Sequence, residues 1–268
     1  MTLYRSLLFV PGNNERFIAK SRTAGADIVC LDLEDSVPRD QKDDARKIVR
    51  SALDVPFDSA VFVRTNSPAS GMLESDLGSV SCGNLDGIVV PKVDDPGQVR
   101  KIRALAPEKE IMPSIESARG VVNAHEIASC EGVSALVFGI FDLLHDMNVE
   151  YDERSGYFAR SKVPVDARAA GIPAIDSVWQ DVRDDEGLGR DCYTGKGLGY
   201  SGKSLVHPGQ IKVTHQVFAP SPEQVQWARD VCGAYDESSG SGRGATTVRG
   251  KMIDEVHYKQ AKRLLDSL

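Results

Sequence analysis

The sequence predicts a single (β/α)8 barrel, the TIM-barrel architecture, followed by a C-terminal helical extension. Eight short apolar runs recur up to residue 207, and segments with helical spacing separate most of them. The runs are continuously apolar rather than alternating, which is typical of parallel strands covered on both faces. The length of 268 residues suits a barrel that fills one domain. The same alternation of elements is also compatible with an open, doubly wound sheet.

The predicted strands are rich in β-branched residues and leucine and are too short to be buried helices. They are Ser6–Val10, Asp27–Leu33, Ala60–Val63, Gly87–Val90, Glu110–Ile115, Ala135–Ile140, Ala174–Val178 and Gly202–His207. The helices predicted between and after them are Asn13–Ala24, Gln41–Leu53, Pro96–Ala106, Ala118–Ser129, Tyr157–Ala170 and Ile211–Phe218.

The pattern changes near residue 218, so we predict a catalytic barrel over residues 1–218 and a helical region over 219–268. Helices are expected near Pro222–Tyr235 and over Lys251–Leu268. The segment Glu237–Gly250 between them is rich in glycine and serine, and we expect it to be mobile in the absence of ligand. A mobile segment tied at both ends is compatible with a lid and with an ordinary surface loop.

The composition indicates a cytoplasmic protein that binds neither nucleic acid nor membrane. The net charge is −7, whereas a nucleic-acid binder needs clustered lysine and arginine. No signal peptide and no apolar stretch long enough to cross a membrane is recognisable. The five cysteines are odd in number, widely spaced and without a CxxC motif, so we expect neither a disulfide framework nor a zinc site.

Ionisable residues stand at or just after the carboxyl ends of six predicted strands. In a (β/α)8 barrel these ends form the active-site face. Buried charges without partners are costly, so the set indicates either a functional site or internal ion pairs at the barrel mouth. We favour function for the set, which comprises Glu34, Asp35, Arg64, Lys92, Glu116, Asp142 and His207.

Glu116 and Asp142 are the candidate metal ligands. They follow adjacent predicted strands, whose axes lie about 4.8 Å apart. Two carboxylates at that separation can share a hard cation and leave positions for water and substrate oxygens, which is how Mg²⁺ is usually held. No histidine or cysteine accompanies them, so zinc is disfavoured.

Arg64 and Lys92 are the candidate cations of the site. Arg64 can grip a substrate carboxylate or stabilise a developing oxyanion. A Schiff-base lysine needs a lowered pKa, whereas the acids near Lys92 raise it, so we expect Lys92 to act as a charge partner that contacts substrate. His207 is expected to be structural, and His145 to line the loop or face solvent.

Eight motifs in order resemble the HpcH/HpaI aldolase and citrate lyase β-subunit family, in particular its CitE-like branch close to the malyl-CoA and citramalyl-CoA lyases. They cover nearly the whole chain: RSLLFVPG (5–12), LDLEDSV (31–37), VRTN (63–66), VVPKV (89–93), IESARG (115–120), FGIFDL (138–143), GKSLVHPGQI (202–211) and GKMID (250–254).

The resemblance implies a barrel enzyme that forms trimers or hexamers and holds Mg²⁺ through Glu116 and Asp142. It assigns substrate binding to Arg64, and to Glu34 and Asp35 either proton handling or support of the residues that contact the metal and substrate. In the related lyases an aspartate from a neighbouring subunit completes the site, and Asp254 is the match here. The region 219–268 is therefore expected to pack on a neighbouring subunit.

The metal loop departs from the family pattern. CitE-like proteins commonly have G-x-E-D-L-x-x-D-L-G, whereas this chain has GIFDLLHDMNVE over residues 139–150, with Phe141 in place of the acid before Asp142. The metal ligand is retained, but the shape of the pocket is expected to differ.

The resemblance implies a Mg²⁺-dependent carbon–carbon lyase. Its substrate would be a 3-hydroxy-3-carboxyacyl thioester of the malyl-, citramalyl- or citryl-CoA type, cleaved into an acyl-CoA and a 2-oxo acid or formed from them. An acyl-CoA thioesterase on the same scaffold and a non-catalytic partner subunit are the alternatives.

Overall fold

The computed structural model describes residues 4–80, 84–152, 154–240 and 244–266. The chain divides into two compact units. The barrel unit comprises Tyr4–Phe218, and the C-terminal unit begins at Ala219.

The barrel unit is a closed cylinder of eight parallel strands in sequence order, which confirms the predicted fold and excludes the open sheet. Pairing of Leu7 with Ser204 closes the first strand onto the last. The strands are β1 Ser6–Pro11, β2 Ile28–Asp32, β3 Ala60–Arg64, β4 Gly87–Val90, β5 Glu110–Ile115, β6 Leu136–Phe138, β7 Ala174–Asp176 and β8 Gly202–Leu205.

Helices cover the outside of the cylinder. Three of them (the third, sixth and eighth) were not predicted. They are α1 Glu15–Ser21, α2 Lys42–Ala52, α3 Leu73–Val80, α4 Pro96–Leu105, α5 Ala118–Ala128, α6 Ile140–Asp146, α7 Tyr157–Ala169, α8 Asp185–Leu198 and α9 Gln210–Phe218.

The strands bury both of their faces. Leu7, Ile28 and Phe62 belong to the apolar cluster inside the cylinder, whereas Leu8 and Val29 belong to the larger cluster between strands and helices. Successive side chains of a strand point to opposite faces. Both faces are apolar here, which is why the strands are continuously apolar in sequence.

In the middle of the C-terminal unit, the secondary structure differs from the prediction. It consists of α10 Pro222–Gly240, the antiparallel strands β9 Ala245–Val248 and β10 Lys251–Asp254, and α11 Glu255–Asp266. The predicted helix from Lys251 therefore begins four residues later, and part of the predicted mobile segment is helix or strand. Residues 241–243 of that segment lie outside the described residues.

A two-residue turn explains the hairpin. Arg249 and Gly250 both have positive φ, 47° and 78°, as the favoured turns of two-residue hairpins require. Val248 and Ile253 are buried against Ala228 and Val231 of α10, which gives the unit an apolar core of its own.

No helix among the described residues is long and apolar enough to cross a membrane. Four of the cysteines, Cys30, Cys130, Cys192 and Cys232, are free thiols; Cys82 lies outside the described residues.

Candidate active site

A cavity of about 430 Å³ opens at the carboxyl ends of the barrel strands. Both acidic and apolar side chains line it. The residues that line it are Phe9, Val10, Pro11, Asp32, Asp35, Ser36, Arg64, Glu116, Val137, Phe138, Gly139, Ile140, Phe141, Asp142, Ser177, Val178, Ser204 and Val206.

Arg64 ends β3 and is held rigidly in the cavity wall. Its Nε and Nη2 donate to the two carboxylate oxygens of Asp32, each at 2.7 Å. Its guanidinium carbon lies 4.6 Å from the centre of the Phe9 ring, within the range of a cation–π contact. The side chain is only 14% exposed. The bidentate pair fixes the position of the guanidinium.

Asp32 is a site residue that the sequence prediction did not include. It ends β2, is buried, and accepts backbone N–H bonds from Glu34 at 2.8 Å and Ser36 at 3.0 Å. Burial alone would raise the pKa of Asp32, but the Arg64 guanidinium and the hydrogen bonds keep it below its ordinary value. Asp32 therefore stays ionised and anchors Arg64. The sequence contained one signal that could have identified Asp32: a charged residue between two apolar residues of a predicted strand.

Glu34 and Asp35 have different surroundings, although the resemblance treats them as a pair. Glu34 is buried, with Oε1 at 2.9 Å from Lys92 Nζ and Oε2 at 3.2 Å from Arg64 Nη1. Burial raises the pKa of Glu34; Asp35 adds to the effect, while Arg64 and Lys92 oppose it. The Asp35 side chain is 57% exposed and lies 3.8 Å from Lys92 Nζ. A buried carboxyl with a raised pKa is suited to proton transfer.

Lys92 links the acids of the site. Its Nζ lies 3.4 Å from Asp142 Oδ1 as well as 2.9 Å from Glu34 Oε1. Burial would lower the pKa of Lys92, but these carboxylates raise it above its ordinary value. Such an ammonium is a charge partner and lacks the lowered pKa of a Schiff-base lysine.

The backbone of Lys92 is also specialised. Its φ of 54° lies in the left-handed region, which a lysine seldom adopts. In this conformation its N–H donates to Glu116 Oε2 at 3.1 Å. Lys92 thus contacts both candidate metal ligands, one through its main chain and one through its side chain.

Glu116 follows β5 directly and is 7% exposed. Burial, together with the charges of Glu34 and Asp142, raises its pKa to about 8. A Cβ on Gly139 would lie 2.5 Å from Glu116 Cγ, so only glycine fits beside it.

Asp142 lies in the first turn of α6, which corrects the prediction that it stands at the end of the sixth strand. The strand ends at Phe138 and Gly139 begins the helix without a capping side chain. Ser177 replaces the cap, since its Oγ accepts the N–H of Ile140 at 3.0 Å. Asp142 is 40% exposed and lines the cavity together with Glu116.

The charges of the cavity favour a bound cation. Two cationic side chains, Arg64 and Lys92, face the five carboxylates of Asp32, Glu34, Asp35, Glu116 and Asp142. Burial is the main cause of the raised pKa of Glu116, and the negative charges of Glu34 and Asp142 add to it. Carboxylate oxygens suit a hard divalent ion.

Among the described residues no three histidine, cysteine or acidic side chains gather as a metal cluster. The predicted pair Glu116 and Asp142 therefore remains the candidate donor set, and both residues line the cavity. Mg²⁺ is commonly held by one or two carboxylates, with water and substrate oxygens in its other positions.

The remaining predicted residues lie away from this cavity or in the other unit. His207 Nδ1 accepts the N–H of Gly209 at 3.1 Å, a turn-stabilising contact. His145 is exposed on α6. Asp254 ends β10 in the C-terminal unit, where its Oδ1 accepts the N–H groups of Val256 and His257. Hydrogen bonding by His257 lowers the pKa of Asp254.

Comparison with known proteins places these features in one family. The family model for HpcH/HpaI aldolase/citrate lyase matches residues 5–208. A (3S)-malyl-CoA thioesterase from Cereibacter sphaeroides is 32% identical over 98% of this chain and 93% of its own. The mitochondrial citramalyl-CoA lyase of Mus musculus is 34% identical over 97% of this chain and 85% of its own.

A solved structure matches nearly the whole chain. The crystal structure of CitE from Mycobacterium tuberculosis in complex with magnesium, acetoacetate and coenzyme A has a TM-score of 0.84 at 31% identity, covering 98% of this chain and 97% of that chain. The motifs, the closed barrel and these matches agree with one another. The chain belongs to the HpcH/HpaI aldolase/citrate lyase family.

Proposed function

We propose that the protein is a Mg²⁺-dependent carbon–carbon lyase acting on a 3-hydroxy-3-carboxyacyl thioester of the malyl-, citramalyl- or citryl-CoA type. The products are an acyl-CoA and a 2-oxo acid, and the reaction can run in either direction. The observation that carries the proposal is the joint placement of Glu116, Asp142 and Arg64 around one cavity at the catalytic end of the barrel.

Glu116 and Asp142 are the proposed metal ligands. When bound, Mg²⁺ supplies a Lewis acid for the hydroxyl and carboxylate oxygens of the substrate. The N–H of Lys92 orients Glu116, and the Lys92 ammonium offsets the charge of Asp142. The relative with CitE in its name binds magnesium, acetoacetate and coenzyme A, which supports this assignment.

The proposed reaction breaks the bond between C2 and C3 of the thioester. The hydroxyl on C3 loses its proton and becomes the carbonyl of the 2-oxo acid, while the bonding pair stays on C2 as a thioester enolate. Arg64, fixed by Asp32, faces the developing negative charge, a contribution typically worth about 3–4 kcal/mol. A proton then returns to C2, and Glu34, Asp35 or Asp254 handles the proton transfers.

Substitution of a proposed metal ligand tests the scheme. Glu116→Gln keeps the shape of the side chain but removes its charge, so Mg²⁺-dependent turnover should fall below detection while the fold remains. The measurement offers malyl-, citramalyl- and citryl-CoA with Mg²⁺ and identifies the products by mass spectrometry. The wild-type protein should release acetyl-CoA and a 2-oxo acid.

Glu126→Gln is the matched control, because Glu126 is exposed on the outer face of α5. It should retain wild-type turnover. Undiminished activity of Glu116→Gln, or of the wild-type protein in EDTA, would reject the metal assignment.

A thioesterase is the second candidate, and one observation favours it. The malyl-CoA relative from Cereibacter sphaeroides carries that activity in its name. Release of free CoA without acetyl-CoA would identify this reaction in the same assay. Binding of Mg²⁺ and a 2-oxo acid without any turnover would favour a non-catalytic partner subunit.

The proposal includes an assembly and a location. We propose a cytoplasmic homo-oligomer, a trimer or hexamer, in which the C-terminal unit packs on a neighbouring subunit and supplies Asp254 to its site. Hydrogen bonding by His257 keeps Asp254 ionised, and the position of Asp254 in the GKMID motif supports its proposed role. The four free thiols suit a reducing compartment.

A further inference from the structure

Two serines of the cavity take no part in the scheme above. Ser177 directly follows β7, and Ser204 lies in β8. The pair Asp176 and Lys203 stands one residue earlier on each strand and is in register across the two strands. Ser177 and Ser204 are therefore neighbours on adjacent strands, about 4.8 Å apart between strand axes.

Both serines point into the barrel. Lys203 and Asp176 face outward, where they pair with Asp191 of α8 and Arg160 of α7. Because side chains alternate along a strand, the next residues face inward. Both serines accordingly line the cavity.

The hydroxyl of Ser204 has no hydrogen-bond partner among the described residues, although Ser204 is only 1% exposed. A buried polar group without a partner is unfavourable, so such a group in a cavity wall indicates that something else binds it. Ser177 Oγ accepts from the N–H of Ile140, and a hydroxyl that accepts still has a proton to donate.

The chemistry of the cavity indicates the ligand of these hydroxyls. Arg64 already bonds both oxygens of Asp32, and Lys92 lies among Glu34, Asp35 and Asp142. A carboxylate that binds Mg²⁺ through one oxygen keeps a second oxygen that needs donors. Neutral hydroxyls can bind this oxygen without a further cation.

We propose that Ser177 and Ser204 form a hydroxyl pair that binds a carboxylate oxygen of the 2-oxo acid half of the substrate. The assignment rests on the proposed lyase function, because it takes its ligand from that reaction. Besides the proposed metal, the hydroxyl pair would be a second group that binds the oxo acid, and it lies on the side of the cavity formed by β7 and β8.

Ser204→Ala is the informative variant, since the wild-type hydroxyl bonds nothing in the protein. Ser177→Ala is less useful because it also removes the cap of α6. In titration calorimetry with Mg²⁺ present, Ser204→Ala should raise the Kd for pyruvate or glyoxylate about tenfold, the effect of one lost hydrogen bond to a charged group. Its melting temperature should equal or exceed that of the wild-type protein, because an orphaned hydroxyl is removed. Mn²⁺ affinity without oxo acid should not change.

Ser134→Ala is the matched control. Ser134 also has a buried hydroxyl without a partner among the described residues, but it does not line the cavity. This variant should bind pyruvate as the wild-type protein does. Equal weakening by both variants, or no weakening by Ser204→Ala, would overturn the hydroxyl pair and leave a structural or water-binding role.

The outcomes separate the two proposals. Normal lyase turnover with unchanged pyruvate affinity in Ser204→Ala contradicts the hydroxyl pair alone. Weakened pyruvate binding in this variant, with no thioester cleavage by the wild-type protein, contradicts the lyase alone. A wild-type protein that binds no 2-oxo acid in Mg²⁺ contradicts both.

Discussion

At the scale of single residues, the acids of the site differ in protonation because their surroundings shift their pKa values in opposite directions. Asp32 has a lowered pKa because Arg64 and backbone donors outweigh burial. Glu116 has a pKa raised to about 8 because burial and like charges dominate. The first is thus a permanent anion that fixes Arg64, and the second is an acid that ionises readily only when a cation compensates it.

The raised pKa of Glu116 predicts a pH dependence of the metal-free protein. An unfolded glutamate has a pKa of about 4.3, so between that pH and about 8 the folded state holds a proton that the unfolded state has lost. Glu116 therefore contributes stability that is complete at low pH and is lost as the pH rises toward 8. Stability should fall by at most about 1.4 kcal/mol per pH unit from this group. Urea unfolding in EDTA between pH 5 and pH 8 measures the effect.

Other groups also titrate in this range. The contribution of Glu116 is therefore isolated by comparing the pH dependence of stability in the wild-type protein with that in Glu116→Gln. The variant cannot ionise at position 116 and should lose less stability across the range. Parallel stability curves for the two proteins would mean that Glu116 is already ionised in the folded, metal-free state.

The ionisable residues of the site could be predicted because they interrupt apolar strands at the end where barrels bind ligands. Arg64, Lys92 and Glu116 were found in this way. Asp32 was not assigned, because its partner Arg64 is more than thirty residues away and only folding joins them. Ser177 and Ser204 carry no charge, and one serine in an apolar run is not a signal.

At the scale of elements, a buried ionic cluster joins the last two strands to the helices outside them. Lys203 of β8 is fully buried and contacts Asp176 of β7 and Asp191 of α8. Arg160 of α7 pairs with the same two acids. Removal of one member of such a cluster leaves buried charge without compensation.

Lys203→Met should therefore destabilise the barrel by about 3 kcal/mol, since methionine fills the space but leaves Asp176 and Asp191 with one cation instead of two. Urea denaturation at neutral pH measures the change. Lys259→Met is the control, because Lys259 pairs with Glu255 on the exposed surface of α11 and should cost no more than about 0.5 kcal/mol. Similar losses in both variants would show that the buried cluster is not a special source of stability.

The missed elements have physical explanations in their sequences. Helix α8 contains four glycines, which lower helix propensity; two of them are needed, since a Cβ on Gly187 or Gly195 would meet Asp184 or Asp176. Helix α6 follows β6 after a single residue, so its first residue was assigned to the strand. The hairpin was hidden by the glycine-rich composition around it.

At the scale of the whole molecule, the chain has a barrel that carries the cavity and a C-terminal unit that carries Asp254. The barrel was predictable because eight apolar runs alternate with helical segments, although the open doubly wound sheet was excluded only by the structure. The proposed assembly of subunits rests on the family resemblance alone, since the sequence pattern of one chain does not identify the partner of a surface.

The proposed exchange of Asp254 between subunits predicts complementation. Asp254→Asn and Glu116→Ala should each be inactive alone. In a co-expressed equal mixture, half of the sites have an intact Glu116, and half of these receive an intact Asp254. About a quarter of the wild-type activity should return if each site draws on a neighbour.

The double variant carrying both substitutions, mixed with Glu116→Ala, is the control and should stay inactive, since no chain then has an intact Glu116. Failure of the first mixture to recover activity, with assembly verified by light scattering, would mean that Asp254 serves its own chain. Activity of Asp254→Asn alone would mean that Asp254 has no essential role.

The anchoring of Arg64 has a consequence for engineering. Its guanidinium is oriented by two bonds to Asp32 and by the Phe9 ring before any ligand arrives. The rotational freedom of this side chain is lost during folding, and capture of an anion need not restrict it again. An arginine grafted alone into another barrel would still have to be immobilised by its ligand, so a transplant of this anion-binding corner must carry Asp32 and Phe9 with it.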